Sequence, residues 1–139
     1  MKVYTSTIQV RTRGETDIID ITERVKEKVT STQVTNGSLL LFIPGSTAAL
    51  TTIEAENGVM NDLRKAIERI VPRNIPYEHD KRWKDGNGYA HVRAALIGPS
   101  LNIPILDKQM ILGTWQQIVL LDFDNRPRSR EIVIQIMGE

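Results

Sequence analysis

Cysteine is absent from these 139 residues, so no disulfide and no thiolate chemistry is available. Chains of this size that work in oxidising compartments often rely on disulfides, and their absence points to a reducing, cytoplasmic setting. Surplus charge is lacking too: 18 Lys and Arg against 17 Asp and Glu leave a formal net charge of +1. A nucleic-acid binder needs a clear basic excess to displace counterions, so that class is disfavoured. Aromatic residues make up only 5%, leaving few rings on which bases can stack. Long apolar runs are missing as well. None approaches the ~18 residues of a membrane span, and Met1-Lys2-Val3-Tyr4-Thr5 shows no signal-peptide core. What is present is an ordinary globular balance, 40% hydrophobic and 25% charged, at a length that suits one domain over residues 1–139.

Periodicity assigns the elements. Residues 2–12 alternate, with Tyr4, Ser6, Ile8 and Val10 on one side, and read as a strand. Asp20 and Glu23 have capping-box spacing before Ile21, Val25 and Val29, which predicts a short amphipathic helix. Ser38 to Ile43 is an apolar run of buried-strand length, stopped by Pro44-Gly45, and residues 48–55 read as a further strand ending near Glu54. Val59, Leu63, Ala66, Ile67 and Ile70 stripe a helix over 58–71 that Pro72 terminates. Residues 73–88 are charged and rich in Pro and Gly, which predicts a long irregular loop. From Tyr89 onward the pattern reads as strands over 89–97, 101–106, 110–123 and 130–137. Two helices and about seven strands with short late connections predict an α+β domain with a mostly antiparallel sheet.

Chemistry concentrates in a few places. Histidine occurs twice, at His79 and His91, on either side of a Gly/Asn turn, where a fold-back would put both imidazoles in one pocket as metal ligands or as a general base. The plain alternative is a solvated loop residue and a hydrogen-bonded strand residue. Glu54 ends an apolar strand, where a carboxylate is costly unless exposed, paired or bound to a cation. Asp62 sits at the edge of the helical stripe, either as a fourth ligand or as helix-start electrostatics. His79, His91, Glu54 and Asp62 together would suit zinc, magnesium or manganese with open positions.

Small and basic residues supply anion binding. Ser46 and Thr47 follow Pro44-Gly45 in a tight turn whose N–H and hydroxyl groups suit phosphate, or which is simply a turn. Arg128 and Arg130 alternate at the start of the last strand as phosphate forks or as wet-face charges. Arg93 lies two residues beyond His91, on the same face of the expected strand. Trp115 and Gln116 follow Gly113 in a strand, where glycine marks a bulge or a close backbone approach.

Several of these segments carry a resemblance. Ser46-Thr47-Ala48-Ala49-Leu50, Glu54, Tyr77-x-His79, Ala90-His91-Val92-Arg93 through Gly98-Pro99-Ser100, Leu112-Gly113-Thr114-Trp115-Gln116 and Arg128-x-Arg130 resemble the YjbQ family in order and spacing over nearly the whole chain. The resemblance implies a β-sandwich-like core, a homotrimer, and functional positions at Glu54, Asp62, His79, His91, Trp115, Gln116 and Arg128. Some members are described as secondary thiamine-phosphate synthases, which join a pyrimidine methyl diphosphate to a thiazole phosphate. That activity is the expectation here, with Glu54, His79 and His91 as catalytic groups and a phosphorylated small molecule as substrate. Metal-assisted hydrolysis of a small phosphorylated or acyl compound, or a non-catalytic trimeric binding protein, are the alternatives. One departure stands out. Where the family often has a histidine and two threonines, this chain has Gly45-Ser46-Thr47, which removes a third imidazole and makes Glu54 a replacement ligand.

Overall fold

The computed structural model describes residues 1–139. Its eight strands and four helices follow in the order β1 (Lys2–Thr12), β2 (Asp17–Asp20), α1 (Thr22–Thr32), β3 (Gly37–Phe42), β4 (Ala48–Ile53), α2 (Asn57–Ile70), α3 (Glu78–Trp83), α4 (Gly88–Ile97), β5 (Ser100–Leu106), β6 (Gln109–Met110), β7 (Gln117–Asp122) and β8 (Arg128–Gly138). They form a five-stranded sheet, β1-β8-β3-β5-β6, and a three-stranded sheet, β2-β7-β4. Every pairing is antiparallel, so the α+β, antiparallel expectation holds.

β7 explains the layering. Ile118 and Leu120 point into a core shared with β1, β3, β5, β8 and α1, while Val119, Leu121 and Phe123 point into a second core under α2 and α4. A strand buried on both faces has no wet side to alternate toward, which is why this segment reads as an unbroken apolar run. The small sheet is therefore the middle layer between the large sheet and the two helices.

Several boundaries differ from the sequence reading. Residues 89–97 are helix α4, not a strand. Tyr89, Ala90, Arg93 and Ala94 are buried and Val92, Ala95 and Leu96 exposed, which is helical spacing. Alanine is the strongest helix former, and Ala90 and Ala94 let the helix approach the middle sheet closely. The segment is apolar nearly all round, so the two periods were hard to separate. The loop over 73–88 contains α3. The expected strand over 110–123 is interrupted by a turn at 114–115, leaving β6 and β7, and the four-residue β2 was too short to stand out. Asp20 does not form a capping box with Glu23; its carboxylate accepts from the Thr22 amide at 2.9 Å and from the Thr22 hydroxyl at 2.6 Å.

Candidate functional site

Both histidines meet because α3 and α4 pack start against start. Glu78 and Asp80 open α3 and Lys81 and Arg82 close it, which matches its dipole. The Tyr77 hydroxyl donates to the Pro72 carbonyl at 2.5 Å and anchors the entry to this helix. Gly88 then begins α4 against α3: a Cβ there would lie 2.7 Å from the Tyr77 Cβ and 3.0 Å from Asp80 Oδ1. No side chain fits. The Gly88 amide instead donates to Asp80 Oδ1 at 2.8 Å. His91, one turn along α4, thereby comes over His79, with ring centroids 4.5 Å apart and planes tilted by 44°.

Carboxylates join this pair. His79 Nδ1 lies 3.1 Å from Asp80 Oδ1 and 3.5 Å from Asp85 Oδ1. His79 and Asp80 are half-buried and Asp85 is exposed. The hydrogen bond with His79 holds the Asp80 carboxyl below its ordinary range against the opposing effect of burial, with the Gly88 amide assisting. His79, Asp80 and Asp85 offer one nitrogen and two oxygens close enough to share a cation, a donor set that suits manganese, zinc or magnesium.

A second polar centre adjoins the first. Asp122 and Asp124 are fully buried. Asp122 accepts from the Thr12 hydroxyl at 2.6 Å, from Arg130 Nε at 2.7 Å and from Arg130 Nη2 at 2.9 Å. Asp124 accepts from the Thr47 hydroxyl at 3.0 Å, Arg128 Nε at 3.1 Å and Asn87 Nδ2 at 3.2 Å. Burial pushes the Asp124 carboxyl up, but the Thr47, Arg128 and Asn87 hydrogen bonds and the Arg128 charge outweigh it and hold it low. Asn87 also accepts from the Asn125 amide at 3.1 Å. It therefore bolts the histidine-bearing segment to the arginine-bearing turn. Imidazoles, acids and guanidinium groups form one connected network.

Other expected site residues lie elsewhere. Glu54 and Trp115 line a hollow of about 600 Å³ with Asp20, Glu23, Glu56 and Gln117, and neither histidine borders it. Trp115 is 72% exposed, in a turn and not in a strand. Gln116 is tied up locally, donating to the Thr52 hydroxyl at 3.1 Å and accepting from the Gly113 amide at 3.0 Å. Asp62 is exposed on α2 and joins no acidic or histidine cluster, so the ligand set of His79, His91, Glu54 and Asp62 does not assemble within this chain. Helical geometry turns Arg93 away from His91. It is 4% exposed and donates to the Val71 carbonyl at 2.9 and 3.0 Å, to Thr16 Oγ1 at 3.0 Å and to Glu68 at 2.5 Å. Its role is structural: it braces Thr16, a β-branched residue at a φ of +62°. The Thr47 hydroxyl is likewise spent on Asp124 and Arg130, leaving Ser46 as the exposed hydroxyl of that turn.

Asp80, Asp85, Asn87, Asp122 and Asp124 were not among the sequence candidates. The signal for the last two was present: two acids at alternate positions within an apolar run, followed by alternating arginines, imply buried ion pairs. Asp80 adjoins His79 in sequence, yet only the fold of 84–88 brings Asp85 back to it.

The class defined by this fold and site is a small α+β protein with two antiparallel sheets and a histidine–carboxylate–arginine network at the junction of three loops. Within that class, the chain belongs to the family described as UPF0047 protein YjbQ-like, which it matches over residues 6–139. It is 35% identical to a UPF0047 protein of Archaeoglobus fulgidus, with 94% of this chain and 98% of the relative covered. It is 34% identical to the UPF0047 protein YugU of Bacillus subtilis, covering 95% and 98%. A crystal structure of a protein of unknown function from Sulfolobus solfataricus superposes with a TM-score of 0.94 at 33% identity, covering 99% of both chains. An uncharacterised family member from Clostridium acetobutylicum gives 0.86 at 32% identity, over 95% of this chain and 99% of that one.

Proposed function

We propose that this chain is an enzyme acting on a small phosphorylated compound, with the pyrophosphate-releasing transfer of a thiamine-phosphate synthase as its reaction. The observation that carries this reading is the convergence of His79, Asp80 and Asp85 beside His91, bolted through Asn87 to the Arg128 and Arg130 guanidinium groups. A divalent cation held by His79, Asp80 and Asp85 would supply charge neutralisation for a departing diphosphate. Arg128 and Arg130 orient phosphate oxygens through directed N–H donors. The hydrogen bond between His79 Nδ1 and Asp80 Oδ1 keeps the two side chains together, and the cation would take its place between them. The transfer itself needs no general base, because the thiazole nitrogen attacks through its lone pair as pyrophosphate departs. His91, packed against His79, would act as a base only toward water in the hydrolytic alternative.

Hydrolysis of a phosphorylated compound would use the same residues with water as acceptor, and one assay separates the two. Protein is incubated with Mn²⁺ and saturating pyrimidine methyl diphosphate, with and without thiazole phosphate. Thiamine phosphate appearing only with both substrates, and lost in Asp80→Asn, supports the transfer. Phosphate release without the acceptor assigns hydrolysis instead, and neither product above background removes the enzymatic reading in favour of a binding protein. A homotrimer in the cytoplasm belongs to the same proposal. Val92 and Leu96, exposed beside His91 on α4, supply apolar surface that a partner copy would cover, and the cysteine-free composition suits a reducing compartment. Sedimentation equilibrium showing only monomer would remove the trimer. No helix is long and apolar enough to cross a membrane.

A further inference from the structure

Arg130 is clamped along one side and free along the other. Nε and Nη2 both donate to Asp122, and Nη2 also donates to the Thr47 hydroxyl at 2.7 Å. Asp122 is fully buried and further held by Thr12, so swinging the arginine away would strand a buried carboxylate. The guanidinium plane is thereby fixed. Nη1 has no protein partner, and it is not among the sealed polar atoms.

The residue facing that nitrogen is Gly45. A Cβ built on Gly45 would meet Arg130 Nη1 at 3.4 Å and no other atom within 4 Å. A side chain there would sit in van der Waals contact with Nη1 and take up part of the approach to it. The Gly45 φ of +116° is a backbone conformation that glycine alone adopts freely, so the loop shape and the open approach are specified by the same residue. Ser46 follows with an exposed hydroxyl that has no protein partner. Arg128 shares the strand face of Arg130 by period two, and it is tied to Asp124 through Nε and Nη2, leaving its own Nη1 unpaired.

Resting on the phosphorylated-substrate reading above, we infer that Gly45 is the specificity-determining residue of a phosphoryl subsite. Its bare Cα admits phosphate oxygens to Arg130 Nη1, with Ser46 and Arg128 as the neighbouring donors. A tetrahedral oxyanion suits donors arriving from a loop and from two arginines on a strand, because its oxygens project in several directions. Asp122 and Asp124 cancel much of the arginine charge. Recognition therefore depends on directed N–H groups and on space, which makes it sensitive to one added methyl group.

The test is a titration of the full chain with inorganic phosphate and pyrophosphate in EDTA, followed by calorimetry and by backbone amide NMR. Wild type is expected to bind saturably, with amide shifts centred on Gly45, Ser46, Arg128 and Arg130. Gly45→Ala and Arg130→Lys each weaken binding by about tenfold or more, the loss of one charge-assisted hydrogen bond. Should Gly45→Ala fail to fold, Arg130→Lys carries the comparison, since it keeps the charge opposite Asp122. No saturable binding by wild type, shifts centred elsewhere, or a folded Gly45→Ala or Arg130→Lys that binds as wild type does would each overturn the assignment. Mn²⁺ titration separates the two proposals. Mn²⁺ affinity retained while phosphate binding fails removes the Gly45 subsite alone, and phosphate binding retained without Mn²⁺ affinity removes the cation-dependent transfer alone.

Discussion

Asn87 is the residue on which the two halves of the site turn. It is buried, donates to Asp124, accepts from the Asn125 amide, and precedes the glycine that lets α4 start against α3. Asn87→Ala removes two hydrogen bonds and takes one donor from a buried carboxylate. We expect a loss of about 2–3 kcal/mol in urea denaturation, since an underpaired buried acceptor costs more than an average hydrogen bond contributes. A change below half a kcal/mol would show that the bolt is not formed. Arg93 makes the complementary point. Its position two residues from His91 suggested a shared strand face, whereas at a helical advance of about 100° per residue it faces the opposite side and braces the Thr16 turn.

At the scale of elements, α2 carries the clearest device. Glu56 caps it, its carboxylate accepting from the Gly58 amide and, at 3.2 Å, from the Val59 amide. Two amides that lack intrahelical partners are thus satisfied by a charge that also suits the helix N-terminus. Glu56→Ala should cost about 1 kcal/mol, read as a lowered melting temperature, with Glu56→Ser recovering much of it. An Ala variant as stable as wild type would mean water serves those amides equally well. The apolar stripe of α2 was plain in the sequence because one face meets solvent. In α4 and β7 it was not, because burial on more than one side erases the period that distinguishes helix from strand.

For the whole molecule, the network around Asp122 and Asp124 ties β1, β7, β8 and two loops into one cooperative unit, and it sets the response to acid. The Asp124 carboxyl is held below its ordinary range in the folded state. Its contribution is therefore complete above the unfolded value, near 3.9, and lost as pH falls toward the folded value. Urea midpoints should be flat from neutrality to about pH 5 and fall below about pH 4. Asp124→Asn should be less stable at pH 7 by about 3 kcal/mol, because Arg128 loses its buried partner, and should lose less on acidification. An acid slope equal to that of wild type would refute this role.

The sequence by itself determined the α+β class, the strands β1, β3, β4, β5 and β8, the helices α1 and α2, and the family, and it offered the meeting of His79 with His91 across a turn as one of two readings. Each of those follows from local spacing or from residues close along the chain. Only the tertiary structure decided that α4 is a helix, that Glu54 and Trp115 line a different hollow from the histidines, and that Asp80, Asp85 and the buried aspartates complete the site. The reason is physical: a carboxylate's partners are chosen by which loops meet in space, and Asn87 reaches Asp124 across a separation of 37 residues that no periodicity spans.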